Sequence, residues 1–273
     1  MKFRCKMMDN VAMRDLTSVV NTISRMSKMC VLRLMPNALY FTAVEDRSPV
    51  IWVQLSIKHF FSEYTMAGVS DELNEIYLEL DPVMLARSLT SLKIMAKSAK
   101  IKLTNKQQPC LTIEIELPSL STESRECMHD VPVRVIPRRE WDRYQTPDIP
   151  KFDISIDMPQ LKNVRSIVER MKNLSPTLGI TADLSGTLVL KVDTDHATVS
   201  AHFQGLATSA EDSAKAREVS ANVDIKKFFT FLSWEIMHPN KVKCNMLHDR
   251  LINLHLSLEE NVVIQYFVPA IAC

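Results

Sequence analysis

The sequence predicts an α+β protein built as two tandem modules, each a set of antiparallel strands carrying two helices on one face. Three observations predict it. An amphipathic segment over residues 11–28 returns far downstream over residues 159–173. Each copy follows a short alternating strand near a Phe, residues 3–7 and 152–157. Each module also ends on a strand followed by proline, Val135-Ile136-Pro137 and Phe267-Val268-Pro269. The two copies lie about 145 residues apart, a duplicated domain rather than a short-period solenoid.

Residues 2–8 read as the first strand, and Asn10 as the cap of the helix that follows. Leu16, Val19, Val20, Ile23 and Met26 form its apolar stripe. Arg14, Ser18, Asn21, Arg25 and Lys28 step along the opposite side. Residues 30–35 and 38–44 make a hairpin about Pro36-Asn37, and 50–55 and 75–80 are further strands. Phe60 and Phe61 anchor the segment after 50–55. Asp81-Pro82 starts a helix, a capping Asp followed by Pro at the first helical position, running to Lys97. It carries Arg87, Lys93 and Lys97. Strands over 99–104, 110–117 and 127–136 complete the first module, residues 1–136.

Residues 137–151 hold three prolines and mixed charge, and read as a connecting linker pinned by Trp141. The second module, residues 152–273, repeats the plan. Its first helix buries Leu161, Val164, Val168 and Met171 and carries Lys162, Arg165 and Lys172. Strands over 177–183 and 187–192 flank a turn at Ser185-Gly186, and 198–203 is next. Residues 205–218 are Ala, Ser and charge without periodicity, a loop. Asp224 caps a helix over 225–234 with Lys226 and Lys227. Strands over 241–246, 251–258 and 262–268 finish the chain. Two such modules leave unpaired edges, with 127–136 and 198–203 as the candidates. Val131, Val133 and Val135 share one face, as do Val199, Ala201 and Phe203. Exposed edges pair with other chains, which predicts an oligomer closed strand to strand, a ring being one such closure.

Composition narrows the function. The 273 residues carry a formal net charge of +1, so any nucleic-acid contact comes from where the cations sit and not from their total. No apolar run reaches membrane-spanning length, and the opening residues lack the apolar core of a secretory signal. Six cysteines stand apart without a C-x-x-C pair, which reads as reduced thiols inside the cell. Four glycines form no phosphate-cradling loop. His196 with His202, and Asp193 with Asp195, lack the further ligands a metal needs. No nucleophile or zinc-hydrolase signature is present. No metal, cofactor or catalytic residue is expected.

Several stretches carry a family resemblance: the opening Met-Lys-Phe-Arg; residues 68–80, Gly-Val-Ser-Asp-Glu-Leu-Asn-Glu-Ile-Tyr-Leu-Glu-Leu; residues 100–106, Lys-Ile-Lys-Leu-Thr-Asn-Lys; the strand 109–117; residues 129–141, from His-Asp-Val-Pro to Arg-Glu-Trp; and residues 263–271. Together they resemble the Hus-type subunit of the nine-one-one checkpoint clamp over nearly the whole chain. The likeness departs near 47–50, which is shorter, and at 206–217, which matches nothing. The resemblance implies two sliding-clamp domains, with antiparallel sheets outside and helices on the inner face. It implies a heterotrimeric ring with two sister subunits. A checkpoint clamp loader places the ring on double-stranded DNA with a recessed end. The ring then recruits repair enzymes and checkpoint kinase activators in the nucleus, with a cytoplasmic pool and no membrane.

On that reading Arg14, Arg25, Lys28, Arg87, Lys93, Lys97, Lys162, Arg165, Lys172, Lys226 and Lys227 line the hole and screen phosphates without reading bases. The plain alternative is a set of ordinary solvated helix faces. A groove beside the linker, bordered by Ile136, Trp141, Tyr266, Phe267 and Pro269, takes partner peptides, against the reading of Trp141 as a simple anchor. Two rival functions stand beside this one. A homotrimeric replicative clamp would self-assemble, and an enzyme of DNA metabolism would need a metal or nucleotide site.

Overall fold

The structure is a computed structural model and describes residues 1–45, 48–93, 96–118, 125–146, 148–209, 218–259 and 261–271. The chain divides into two compact units, Met1–Thr146 with Glu260–Val262 and Pro147–Glu259 with Val263–Cys273.

The first unit begins with β1 (Lys2–Met7), α1 (Asn10–Met26), β2 (Met29–Leu34), β3 (Ala38–Glu45) and β4 (Ser48–Ser56). A single turn, α2 (Ile57–Phe60), leads to β5 (Glu63–Ala67) and β6 (Ile76–Leu80). Then come α3 (Pro82–Ser88), a 3-10 turn (Thr90–Lys93), β7 (Ser98–Asn105), β8 (Pro109–Leu117) and β9 (Arg125–Val135), closed by a 3-10 helix (Arg138–Tyr144). All pairs are antiparallel, in the orders β5-β1-β7-β8-β9 and β9-β6-β2-β3-β4. Strand β9 serves both sheets: residues 125–132 pair with β8 and residues 133–135 with β6. Leu16 and Val20 of α1 and Leu85 and Leu89 from α3 meet Phe3, Cys5 and Ile101 around a void of only about 30 Å³. The helices therefore cover one face of the β1/β7 sheet and leave little empty space beneath them.

The second unit runs β10 (Ile154–Asp157), α4 (Leu161–Met171), β11 (Thr177–Asp183), β12 (Leu188–Asp193), β13 (Thr198–Phe203), β14 (Thr208–Ser209) and β15 (Glu218–Asp224). There follow α5 (Ile225–Phe231), a 3-10 turn (Leu232–Met237), β16 (Lys241–Leu247), β17 (Leu251–Leu258) and β18 (Val262–Pro269). The pairing order of the first unit recurs: β13-β12-β11-β15 in one sheet, and β10-β16-β17-β18 with β14 added beside β10 in the other. The stripe Leu161, Val164, Val168 and Met171 is buried as its spacing predicts. At the β11–β12 turn Gly186 sits at φ +87°, and a Cβ there would meet the Leu206 carbonyl oxygen at 2.4 Å. Glycine is required at that point.

Helix ends depart from the sequence reading. Asp9, not Asn10, caps α1, its carboxylate accepting the Ala12 N–H at 2.9 Å. The helix expected to reach Lys97 ends at Ser88 and tightens into the 3-10 turn. Ser88 and Thr90 turn their hydroxyls back onto the Met84 and Ala86 carbonyls, which bends a helix. The helix expected over 225–234 likewise ends at Phe231 in a 3-10 turn. Part of the segment read as a loop over 205–218 is β14, and its residues 210–217 lie outside the described residues. Asp81 and Asp224 cap as expected. Asp81 accepts the N–H groups of Val83 and Met84 at 2.7 and 3.4 Å, and Asp224 those of Lys226 and Lys227 at 2.8 and 3.1 Å. Asp81→Ala orphans first-turn donors and is expected to cost about 1 kcal/mol, read as a lower midpoint in urea at unchanged slope.

The cysteines Cys5, Cys30, Cys110 and Cys244 are buried free thiols, with Cys127 half-buried. Burial pushes the Cys5, Cys30 and Cys244 thiols far up, which keeps them protonated and unreactive.

Candidate functional site

Each unit presents a layer of two helices whose solvent side is cationic. In the first unit α1 packs on α3 and its 3-10 turn. Arg14, Arg25, Arg87 and Lys93 are exposed on these elements, and Lys28 is exposed just past the end of α1. Acids there are few. Asp9 and Asp81 are spent on caps. Asp15 is half-buried, 3.8 Å from His59; burial raises its carboxyl against the pull of Arg14 and His59. The stripe follows from the sequence because residues three and four apart share a helix face.

In the second unit α4 packs on α5 and the following 3-10 turn. Lys162 and Lys226 are exposed, and Lys227 is half-buried. Arg165 donates to Glu235 at 2.6 Å, so its charge is compensated. Lys172 stands 4.0 Å over the Phe229 ring. Both are held against α5 and its turn rather than extended into solvent. Lys97 moves off the helix layer altogether. It lies in the lead into β7, 3.9 Å from Glu116, because the helix stops short.

The residues predicted to border the linker groove are mostly buried. Ile136, Trp141 and Tyr266 are 1%, 6% and 4% exposed, too buried to offer side chains to a peptide. Trp141 stacks on Tyr77 at 4.6 Å between ring centroids and donates its indole N–H to the Ile136 carbonyl at 3.0 Å. Tyr266 stacks on Phe231 at 5.8 Å, and its hydroxyl donates to the Lys227 carbonyl. Phe267 is half-buried and Pro269 exposed. A polar chain missed from the sequence ties the Trp141 segment down. Arg33, only 8% exposed, donates to Glu75 through Nε at 2.9 Å and Nη2 at 3.2 Å. Tyr77 donates to Glu75 at 2.8 Å, and Gln145 donates to the Tyr77 hydroxyl at 2.9 Å. The available signal was one Arg in the otherwise apolar run of β2, since a buried cation requires a carboxylate. Beside this segment lies an open cavity of about 710 Å³, lined by Met26, Lys28, Val44, Arg134, Arg143 and Tyr144 among others.

The edges divide. Strand β13 pairs only with β12 among the described residues, and Val199 is 38% exposed with Ala201 and Phe203 partly open. Strand β9 is not a simple edge, since residues 133–135 pair with β6. Residues 125–131 have β8 alone as neighbour among the described residues. Val131 and Val133 are 1% and 7% exposed and belong to the core, while Val135 is half-buried. The reason is β9's place between two sheets, which turns that face inward.

His202 shares a hydrogen bond with Ser200 at 3.0 Å, and Asp193 pairs with Lys191 at 2.9 Å. Among the described residues no cluster of three or more His, Cys, Asp or Glu could hold a metal ion. No helix among them is long and apolar enough to cross a membrane.

Comparison with known proteins adds four findings. The family model described as Hus1-like protein matches residues 1–272. The chain is 40% identical to Checkpoint protein HUS1 of Homo sapiens, covering all of both chains. It is 30% identical to Checkpoint protein Hus1-like of Drosophila melanogaster over 99% of each. Among solved structures it is similar to PCNA from Thermococcus kodakaraensis. The TM-score is 0.69 at 14% identity, covering 98% of this chain and 99% of that one, a likeness of fold.

Proposed function

The chain belongs to the Hus1-like protein family, and on that premise we propose that its two cationic helix layers line the hole of a DNA damage checkpoint clamp. The chain is one subunit of a heterotrimeric ring of the sliding-clamp fold, which acts as a scaffold for checkpoint signalling and repair. The observation that carries the lining is the set of exposed helix cations Arg14, Arg25, Lys28, Arg87, Lys93, Lys162 and Lys226 in a chain of net charge +1. Such a layer attracts phosphates, ignores sequence and lets the ring slide. Arg165 and Lys172 support it from behind by fixing α4 on α5. The same reading supplies two sister subunits, a clamp loader, DNA with a recessed end, and repair and checkpoint partners in the nucleus. Partner peptides enter the open cavity beside Val44 and Arg143 rather than the buried Trp141 side chain.

The test reverses Arg25, Lys93 and Lys162 together, in assembled and loaded rings. Retention on DNA is expected to fall about tenfold, and the slope of log retention against log salt to flatten by about 3. A salt titration indistinguishable from the unaltered ring would remove these residues from the lining.

A further inference from the structure

A second group of cations lies on the opposite face of the first unit. In the register of β1 with β7, Arg4 stands directly across from Lys102 and Lys6 directly across from Lys100. The alternate residues Phe3, Cys5 and Met7, with Ala99 and Ile101, are buried. Phe3, Cys5 and Ile101 meet the helices. The four cations therefore share the sheet face away from α1 and α3, and Lys2, exposed and two residues before Arg4 on β1, flanks them on the same face. One row across the sheet reads Glu63, Lys6, Lys100, Glu114, and the next reads Thr65, Arg4, Lys102, Thr112. Like charges directly opposite on neighbouring strands repel. Elsewhere this sheet couples opposite signs, Lys106 with Asp130 at 2.6 Å and Lys97 with Glu116 at 3.9 Å. The block of four is its exception. Lys6 has Glu63 at 3.7 Å and Lys102 has Glu114. Among the described residues, Arg4 and Lys100 have no carboxylate within 4.0 Å.

We propose that this block is a docking site for a phosphorylated serine or threonine in an acidic segment of a partner protein. With Lys2 counted, five cations less two carboxylates leave three positive charges uncompensated, enough for a phosphate monoester of about −1.5 to −2 and an acidic residue beside it. The block is two strands wide and two outward residues long, about 5 by 7 Å, the scale of one phosphate group. Arg4 is exposed and brings a planar fork that binds two phosphate oxygens at once, with Lys100 and Lys6 as point charges beside it. A nucleic-acid backbone running across the strands would cross Glu63, Glu114 or Asp130, and one running along β1 meets only one further cation, Lys2, so neither path offers an extended basic track. The site needs only the first unit, so it does not stand or fall with the DNA-lining reading.

The full chain is titrated against a fluorescein-labelled peptide Asp-Glu-phosphoserine-Asp-Glu and its unphosphorylated twin, with fluorescence anisotropy as readout. The twin is expected to bind about tenfold more weakly, and the double substitution Arg4→Gln, Lys100→Gln to weaken the phosphopeptide about tenfold. That double variant relieves like-charge repulsion, so its melting temperature is expected to hold or rise. Glu114→Gln frees Lys102 and is expected to tighten phosphopeptide binding about threefold, a gain that no folding defect mimics. A duplex of roughly 20 base pairs serves as competitor and is expected not to displace the peptide. Displacement by the duplex, equal binding of the twin, no binding at all, or indifference to Arg4→Gln, Lys100→Gln would each overturn the proposal.

Discussion

Trp141→Ala is expected to destabilise the first unit by about 3–5 kcal/mol, the range for removing a buried Trp from a core. The indole is 6% exposed, stacked on Tyr77 and packed with Val31, Ile136 and Tyr144. Truncation leaves a cavity under the 3-10 helix and orphans the Ile136 carbonyl that the indole N–H satisfies. Trp141→Phe keeps a ring against Tyr77 but loses that hydrogen bond and part of the buried ring volume, so it is expected to cost about 1–3 kcal/mol, less than Trp141→Ala. Denaturant midpoints of the two variants, at unchanged slope, check the order. A near-neutral Trp141→Ala would return the residue to the role of an open peptide anchor. The same cluster carries an acid dependence. Burial alone would raise the Glu75 carboxyl, but hydrogen bonds from Arg33 and Tyr77 overcome it and hold it below the usual range. A depressed carboxyl contributes stability that is present above the unfolded carboxylate pKa of about 4.3 and is lost as pH falls below it. Glu75→Gln is therefore expected to lower stability at neutral pH and to flatten its decline on acidification.

What the sequence revealed followed the reach of each interaction. The stripe of α4 was legible to the residue, because a 3.6-residue period places Leu161, Val164, Val168 and Met171 on one side with no help from the rest of the chain. The exposed positions of Arg14 and Arg25 on α1 and Lys162 on α4 were legible for the same reason. Helix ends were not, because hydroxyls such as those of Ser88 and Thr90 choose between solvent and a carbonyl four residues back, and periodicity is blind to that choice. Strand β5 escaped because Glu-Tyr-Thr-Met-Ala is half-exposed and lacks a clean apolar alternation. The linker pin joins residues 33, 75, 77 and 145, and the basic block joins residues 4, 6, 100 and 102. Register across distant strands decides both, and local spacing carries no trace of it.

Register also decides assembly. Across β12 and β13, Val199 faces Val192, Ala201 faces Leu190 and Phe203 faces Leu188, and those three partners are buried. The row on β13 thus continues the core of the second unit to its margin and stops there, half open, beside a strand with one unpaired backbone side among the described residues. Such an edge can be completed by another strand, and we propose that a sister subunit does so here and buries the rest of the apolar row. Val199→Asp with Phe203→Glu would place two charges in that junction. The subunit itself is expected to stay folded, since both sites are already partly solvated. Affinity for the sister subunit on that side is expected to fall about a hundredfold or more, because each lost apolar contact is worth about 1.5–3 kcal/mol before the cost of burying a charge. If residues 125–131 of β9 form the second junction, as we propose, the other sister subunit is expected to stay bound. Native mass measurement of the three co-expressed chains should then find a two-chain species in place of the trimer. An intact trimer would mean that β13 is not a junction. Loss of both partners would mean that the two edges do not act independently, and that one junction cannot hold without the closure of the ring.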